Sequence, residues 1–240
     1  MKFLGKLLII VVFVCLMLSG AFTVFGEEMK IISPAELAQI IPNKKIVLIN
    51  TMSKIECDDH SIVGSTCIPV ETMEGAARKL PQDRLVVFYC ESESGTRCRQ
   101  AASIARAQGL QNIAILGGGS VGWRKAGFDE VSLERIRRRV IVSLGPVALR
   151  DFINKNKSNI FILDIRSEEA FHKGHIKGAE NIPFYLLHER YSAIPSGKKI
   201  VVVDDKGLRS FLAASYLVDK GFRDVIRLAR GMAGWNEGTN

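Results

Sequence analysis

Cys90 stands where an apolar stretch of the chain gives way to a short polar loop. It ends the run RLVVFYC (84–90) and opens the loop CESESGTRC (90–98), which leads into a helical pattern. When such a loop wraps around the cysteine, backbone N–H groups and the positive end of the helix dipole face the sulfur and favour thiolate over thiol. Arg97 adds a fixed positive charge for an anionic ligand. Because a thiolate of lowered pKa is a nucleophile, the pattern predicts covalent catalysis by Cys90; the alternative is a buried cysteine at a strand end.

The loop after Cys90 is the candidate substrate-binding segment. Its members are Glu91, Ser92, Glu93, Ser94, Gly95, Thr96 and Arg97. Negative charge at Glu91 and Glu93 opposes both a thiolate and an anionic donor, unless these side chains face solvent. Cys98, at the first turn of the helix, is a candidate resolving residue that would form a disulfide with an oxidised or persulfidated Cys90. The alternative is a helix-start residue without a chemical role.

The N-terminal segment predicts export. Lys2 and Lys6 precede the unbroken apolar run LLIIVVFVCLML (7–18), and small residues follow up to Gly26, which is the pattern of a secretory signal peptide over residues 1–26. The alternative is an uncleaved anchor, because the 19 residues from 7 to 25 are long enough to span a bilayer. We therefore expect a periplasmic or secreted protein, or one anchored to the inner membrane by residues 7–25.

The charge of the chain favours anionic small molecules. The formal net charge of +8 falls to +6 if Lys2 and Lys6 are removed with the signal segment, since residues 1–26 contain no acid. A positive surplus attracts anions and membrane surfaces. Nucleic-acid binding is not predicted, because the basic run RIRRR (135–139) has no interleaved aromatic residues and is typical of a solvated helix face or linker. Membrane contact is expected only if the N-terminal segment stays attached.

The chain contains one internal repeat, with an offset of 112–114 residues. The matched pairs are Pro34 and Pro146, Pro69 and Pro183, Cys90 and Asp204, and Trp123 and Trp235. Each copy alternates short apolar strands with helices, and near-continuous apolar strands in that order are typical of an α/β domain around a mostly parallel sheet. We predict two such domains, 31–127 and 140–240, joined by a linker at 128–139.

Two further cysteines, Cys57 and Cys67, lie in the first copy. With Cys90 and Cys98 they make four in the oxidising compartment that export predicts, and four cysteines permit three pairings. The repeat aligns Cys57 with a core position and Cys67 with a position beside the Cys90 loop, so these two either form a structural disulfide or both stay reduced. No pair has the CxxC spacing of a zinc site, and neither a metal nor a cofactor is predicted.

The second copy resembles the rhodanese family. Its segment LDIRSEEAFHKGHIKGAENIPF (163–184) is similar to that family's strand-to-loop signature. The matching residues are Asp164, Arg166, Glu169, Phe171, Gly174, His175, Gly178, Ala179, Asn181 and Pro183. The closing segments LARGMAGWNEG (228–238) and LGGGSVGWRKAGF (116–128) also resemble the family, with Arg230 in place of a glycine. The first copy is otherwise a degraded version, in which Asn50 replaces the signature aspartate.

The resemblance implies a sulfurtransferase whose catalytic residue is Cys90. In such an enzyme the cysteine takes the outer sulfur of thiosulfate or a persulfide, becomes a persulfide, and passes the sulfur to a thiol, to cyanide or to a protein acceptor. The second copy carries Asp204 at the matching place, and a carboxylate cannot form a persulfide, so that domain is expected to be inert. The family's common loop is Cys-x4-Arg, the length of DDKGLR (204–209), whereas Cys90 and Arg97 are two residues further apart, which suggests a wider pocket.

Two other functions remain open from the sequence. One is a non-catalytic module that uses the rhodanese scaffold for binding or sulfur relay, which the degraded signature of the first copy favours. The other is a thiol redox protein working through Cys90 and Cys98.

Overall fold

The computed structural model describes residues 29–42, 45–92 and 95–237, and these form two α/β domains with the same topology. The predicted signal segment and two loop residues, Glu93 and Ser94, lie outside the described residues. Within the described ranges no helix is long and apolar enough to cross a membrane.

The first domain has a five-stranded sheet in the order β1–β5–β4–β2–β3, with every neighbouring pair parallel. Its strands are β1 (Lys30–Ile32), β2 (Ile46–Asn50), β3 (Thr66–Cys67), β4 (Leu85–Tyr89) and β5 (Ile113–Leu116). Its helices are α1 (Pro34–Ile40), α2 (Lys54–Asp59), α3 (Met73–Ala77), α4 (Thr96–Ala107) and α5 (Gly119–Lys125), with a short 3-10 turn at Val70–Thr72.

The second domain repeats this arrangement in the order β6–β10–β9–β7–β8, again with parallel pairs. Its strands are β6 (Val142–Leu144), β7 (Ile160–Asp164), β8 (Ala179–Asn181), β9 (Lys199–Val203) and β10 (Val225–Leu228). Its helices are α6 (Pro146–Lys155), α7 (Glu168–Lys173), α8 (Leu187–Arg190), α9 (Arg209–Asp219) and α10 (Gly231–Glu237), with 3-10 turns at Phe184–Leu186 and Tyr191–Ala193. The predicted pair of α/β domains is confirmed.

Apolar strands and capped helices explain the local structure. The four residues Val86 to Tyr89 of β4 are fully buried, because helices cover both faces of a parallel sheet. Helix α1 begins at the capping box expected from the sequence: the Ser33 hydroxyl accepts from the Glu36 amide, and the Glu36 carboxylate accepts from the Ser33 amide at 2.7 Å. The central position of β4 sets the carboxyl end of that strand in the middle of one edge of the sheet, where open parallel sheets bind ligands.

The two domains pack against each other directly. Ile55 of α2, in the first domain, is 2% exposed and belongs to the hydrophobic core of the second domain. The linker run of arginines forms neither helix nor strand, and its Ile136 is buried in the same core. The Asp59 carboxylate accepts from the Ile136 amide at 2.8 Å and pairs with Arg138 at 2.7 Å. Because the linker is anchored to both domains, it fixes their relative orientation.

Candidate active site

Cys90 follows the last residue of β4 and is held by the closing segment of its own domain. The Cys90 carbonyl accepts from the Ser120 amide at 2.8 Å, and the Glu91 carbonyl accepts from the Val121 amide at 3.0 Å. This approach requires glycine at position 119, because its φ is +58° and a Cβ there would lie 2.4 Å from the Cys90 carbonyl oxygen. The start of α5 therefore fixes the backbone from which the thiol projects.

The sulfur of Cys90 is unoxidised and recessed. The residue is 1% exposed and forms no disulfide, but it lies in the wall of a cavity. Its Sγ lies 3.7 Å from the Ser92 carbonyl oxygen and 3.8 Å from that of Gly95, and a Cβ at Gly95 would lie 2.4 Å from the sulfur. The sequence predicts inward amides, and the amides of Ser92 and Cys98 do lower the pKa of this thiol, but two carbonyls lie near the sulfur as well. The Gly95 amide also donates to the Ser92 carbonyl, at 2.9 Å.

The charge state of Cys90 is set mainly by Cys98. The pKa of Cys90 is lowered from 9.0 to about 7. A hydrogen bond from the Cys98 thiol has the largest effect, and burial acts in the opposite direction. The amide of Cys98, the charge of Arg97 and the amide of Ser92 lower the pKa further. The same hydrogen bond, with burial and the neighbouring negative charge, raises the pKa of Cys98. Cys98 is also buried, with its Sγ 3.3 Å from the Gly95 carbonyl oxygen. At neutral pH about half of Cys90 is therefore thiolate, whereas Cys98 stays a thiol.

Arg97 is held in place by a buried carboxylate. Its two terminal nitrogens donate to the two oxygens of Glu56, at 3.0 and 3.2 Å. Burial would raise the pKa of Glu56, but Arg97 outweighs it, and with smaller contributions from Arg209 and Ser53 the pKa falls to about 2. Burial likewise opposes the charge of Arg97, whose pKa is nonetheless raised by Glu56 and then by Cys90. The guanidinium is therefore a fixed charge beside the sulfur rather than a mobile one.

A cavity of about 430 Å³ lies between the two domains, with Cys90 in its wall. The first domain lines it with six predicted loop residues, Cys90, Glu91, Ser92, Gly95, Thr96 and Arg97. The second domain contributes Ile165, Arg166, Asp204, Asp205, Lys206, Leu208 and Arg209. Cys98 is not in the lining, and the predicted loop residues Glu93 and Ser94 lie outside the described residues.

The matching loop of the second domain is closed around its own carboxylate. The Asp204 side chain accepts from the amides of Gly207 at 2.7 Å, Arg209 at 2.8 Å and Ser210 at 3.0 Å. Three inward amides are what a loop of this kind offers to an anion, and here the chain itself supplies the anion. The loop of the second domain thus has no nucleophilic sulfur, and its inward amides already bind the Asp204 carboxylate.

The structure also resolves the remaining cysteines. Cys57 and Cys67 form a disulfide, with their Cα atoms 6.0 Å apart. Of the two alternatives left open by the sequence, the structure has the bonded one.

Sequence reasoning missed two features of the site. One is Glu56, whose place three residues after Ser53 indicates only a helix capping box. The structure has that capping box, and the same carboxylate also forms an ion pair with Arg97. Arg209 belongs to the copy that lacks a cysteine, so the sequence does not connect it with Cys90, but the structure places it in the lining of the cavity that contains Cys90.

Comparison with known proteins agrees with the repeat. The family model described as rhodanese-like domain matches residues 33–126 and 146–238. The putative sulfur carrier protein YrkF of Bacillus subtilis is 26% identical over 126 residues, which are 52% of this chain and 60% of that protein. The thiosulfate sulfurtransferase GlpE of Shewanella oneidensis is 37% identical over 79 residues, 33% of this chain and 78% of that protein.

Among solved structures, the thiosulfate sulfurtransferase of Pseudomonas aeruginosa is 21% identical, with a TM-score of 0.42, over 86% of this chain and 44% of that one. The chain thus spans about three fifths of the length of the curated Bacillus relative and less than half of the Pseudomonas chain. The two family matches together cover more than half of the sequence. The chain belongs to the rhodanese-like domain family and contains two copies of that domain.

Proposed function

We propose that the protein is a sulfurtransferase that works through a persulfide on Cys90. The observation that carries this proposal is the unoxidised Cys90, with a pKa of about 7, set in the wall of the interdomain cavity beside the fixed charge of Arg97. A thiol that is about half ionised at neutral pH provides a large fraction of thiolate, and that thiolate is still a strong nucleophile. The names of the sulfurtransferase relatives support the same reaction class.

The proposed reaction has two displacement steps. The Cys90 thiolate attacks the outer sulfur of the donor, an S–S bond forms, and the donor's remaining group leaves with the electron pair as sulfite or a thiolate. An acceptor thiolate or cyanide then attacks the outer sulfur of the persulfide and regenerates the Cys90 thiolate. Arg97 stabilises the anionic donor and the anionic persulfide, because its pairing with Glu56 holds the guanidinium beside the reacting sulfur.

Thiocyanate formation from thiosulfate and cyanide tests this proposal. We expect activity in the wild type and none in Cys90→Ser, since a serine hydroxyl is a far weaker nucleophile and has no sulfur to form a persulfide. The matched control is Cys98→Ser, which replaces the neighbouring buried thiol by another hydrogen-bond donor and should keep the activity. Equal activity in wild type and Cys90→Ser would refute the proposal.

A second candidate function, a thiol redox protein, is favoured by the free buried thiols of Cys90 and Cys98, which shift each other's pKa in opposite directions. Such a protein would cycle between a dithiol and a Cys90–Cys98 disulfide, so Cys98→Ser would lose all activity. The same variant therefore separates the two functions. A wild type that reduces a disulfide substrate but forms no thiocyanate would favour the redox protein.

We also propose that the protein is exported. Residues 1–26 have the pattern of a signal peptide, and the Cys57–Cys67 disulfide is of the kind that persists in oxidising compartments. The mass of the protein recovered from the periplasm should correspond to a chain that begins near residue 27. Recovery of the full-length chain in the membrane fraction would favour the anchor, and recovery from the cytoplasm would refute export.

A further inference from the structure

A second cleft, with a volume of about 480 Å³, lies between the first domain and the linker. Among the described residues, Glu91 lines both this cleft and the cavity of Cys90, and no other residue is common to the two linings. The cleft is therefore separate from the proposed site of sulfur transfer. One arginine of the first domain and three of the linker line it, namely Arg124, Arg135, Arg137 and Arg138.

Two of these arginines have a carboxylate partner. Arg124 donates to Glu130 at 2.6 Å, and Arg138 donates to Asp59 at 2.7 Å. The side chains of the two carboxylates are only 6% and 4% exposed, whereas those of the arginines are 46% and 52% exposed. Each contact uses one nitrogen of a guanidinium that has five N–H donors. Most donors of both guanidiniums are therefore available to a ligand in the cleft.

The other two arginines of the cleft have no carboxylate partner within the described ranges. Arg135 donates to the uncharged hydroxyl of Ser132, at 3.0 and 3.2 Å. Arg137 lies near Asp219, but the guanidinium of Arg139 already donates to that carboxylate at 2.8 Å. Arg135 and Arg137 thus contribute two positive charges to the cleft that no ion pair neutralises.

The backbone of the linker holds these two arginines in place. Ile136, which lies between them, is 5% exposed, and its amide donates to the Asp59 carboxylate at 2.8 Å. The amide of Arg137 donates to Asp219 of the second domain at 2.9 Å. Because the segment is attached to both domains, its side chains lose less entropy when a ligand binds than they would in a flexible linker.

The charges of the lining favour an anion at the linker side of the cleft. Positive charges that are crowded together repel each other, and an anion placed between them removes that repulsion. The lining also contains Glu91, whose carboxylate has no ion pair in the part of the chain that the structure describes. Since Glu91 lies where the cleft adjoins the cavity of Cys90, it disfavours an anion at that end.

The donors and the size of the cleft fit a phosphate monoester. Its three terminal oxygens accept hydrogen bonds from several directions, and the planar guanidinium of arginine binds phosphate through two parallel N–H donors. A carboxylate, with two oxygens in one plane, would engage fewer of the four arginines. The volume of about 480 Å³ corresponds to roughly sixteen water molecules at about 30 Å³ each, which leaves room for the group that carries the phosphate.

We propose that Arg124, Arg135, Arg137 and Arg138 form a binding site for a phosphate monoester. The two sources of this group are a soluble phosphate ester and the headgroup of an anionic lipid, and both present the same oxygens to the arginines. The proposal does not depend on sulfur transfer, because none of the four arginines lines the cavity of Cys90.

Two probes that carry the same group test the site and distinguish its sources. Glycerol 3-phosphate is titrated into the full chain by calorimetry, with glycerol as the control ligand. Vesicles that contain phosphatidic acid, the diacylated form of the same ester, are tested by cosedimentation, with phosphatidylcholine vesicles as the control.

The variant for both measurements is Arg135→Gln/Arg137→Gln. Its matched control is Arg84→Gln/Arg223→Gln, which removes the same charge from two exposed positions outside the cleft. The denaturation midpoint of the first variant should equal that of the wild type, because both substituted side chains are exposed. A loss of binding then reports the site and not the fold.

We expect the variant to bind at least one of the two phosphate probes about tenfold or more weakly than wild type, and the control variant to bind as wild type does. A loss confined to glycerol 3-phosphate identifies a soluble ester as the source, and one confined to phosphatidic acid vesicles identifies a lipid.

Three results would overturn the inference. They are no binding of either phosphate probe beyond that of glycerol or phosphatidylcholine, equal binding by the variant and the wild type, and equal weakening in both double variants. Thiocyanate formation is measured on the same proteins, and its absence from the wild type would refute the proposed function without bearing on this site.

Discussion

Replacing Cys98 by alanine should make Cys90 react more slowly than in the wild type at neutral pH and faster at alkaline pH. The Cys98 thiol supplies the largest single effect that lowers the pKa of Cys90 from 9.0 to about 7. In Cys98→Ala that hydrogen bond is lost, whereas burial, which acts in the opposite direction, remains. The amide of residue 98, the charge of Arg97 and the amide of Ser92 also remain and still lower the pKa, so we expect the pKa of Cys90 to rise toward 9.0, with a full return as the upper limit.

The magnitude follows from ionisation and nucleophilicity. At pH 7 a thiol of pKa about 7 is half ionised and one of pKa about 9 is about 1% ionised, so the variant has about fiftyfold less thiolate. A thiolate gains nucleophilicity with its pKa, with a Brønsted coefficient of about 0.4–0.5, so two units give about an eightfold gain. With a full return to 9.0 the variant would react about sixfold more slowly than wild type at pH 7 and about eightfold faster above pH 10, and a smaller rise in pKa gives smaller changes in the same directions.

Alkylation by iodoacetamide measures this directly. Trypsin cleavage after Arg84 and Arg97 places Cys90 in the peptide 85–97, apart from Cys98, so each cysteine is counted separately. Cys98→Ser, which restores a hydrogen-bond donor, should have a profile closer to that of the wild type. Superimposable rate profiles for wild type and Cys98→Ala would refute the assignment of the lowered pKa to this hydrogen bond.

Three further outcomes are expected. Because the pKa of Glu56 is depressed from 4.5 to about 2, its ion pair stabilises the fold above pH 4.5 by about 3 kcal/mol, and this stability is lost as the pH falls toward 2. In urea denaturation Glu56→Gln should therefore be less stable than wild type at pH 7, and the difference in unfolding free energy should disappear only near pH 2. The double variant Cys57→Ala/Cys67→Ala should lose about 3 kcal/mol of unfolding free energy, since the disulfide closes a loop of 10 residues; an unchanged denaturation midpoint would contradict this. Gly95→Ala places a methyl group 2.4 Å from the Cys90 sulfur and should slow persulfide formation by about a hundredfold, measured by mass spectrometry; a wild-type rate would show that the loop is not held as described.

The strands and the position of Cys90 could be predicted because they depend on local pattern. The apolar run before Cys90 has the length and composition of a buried strand, and the repeat of that run before Asp204 indicates a second copy of the same domain. The capping box of α1 could be predicted for the same reason, since its two residues, Ser33 and Glu36, are only three positions apart.

The remainder of the site depends on contacts between residues far apart in the chain. The ion pair of Glu56 with Arg97 joins positions 41 residues apart, and no local pattern marks it. Arg209 faces Cys90 because the domains pack through buried residues such as Ile55, and the sequence does not specify how two similar domains meet. The carbonyls of Ser92 and Gly95 lie near the sulfur in a loop that is two residues longer than that of the second copy, so the second copy does not predict their positions.

The most direct test of the account is the mass of the peptide 85–97 after incubation of the protein with a sulfur donor. Nucleophilic attack by Cys90 predicts a gain equal to one sulfur atom on that peptide in the wild type and in Cys98→Ser, and no gain in Cys90→Ser. Sulfur that is found on another peptide, or that still binds the Cys90→Ser variant, would contradict the central claim.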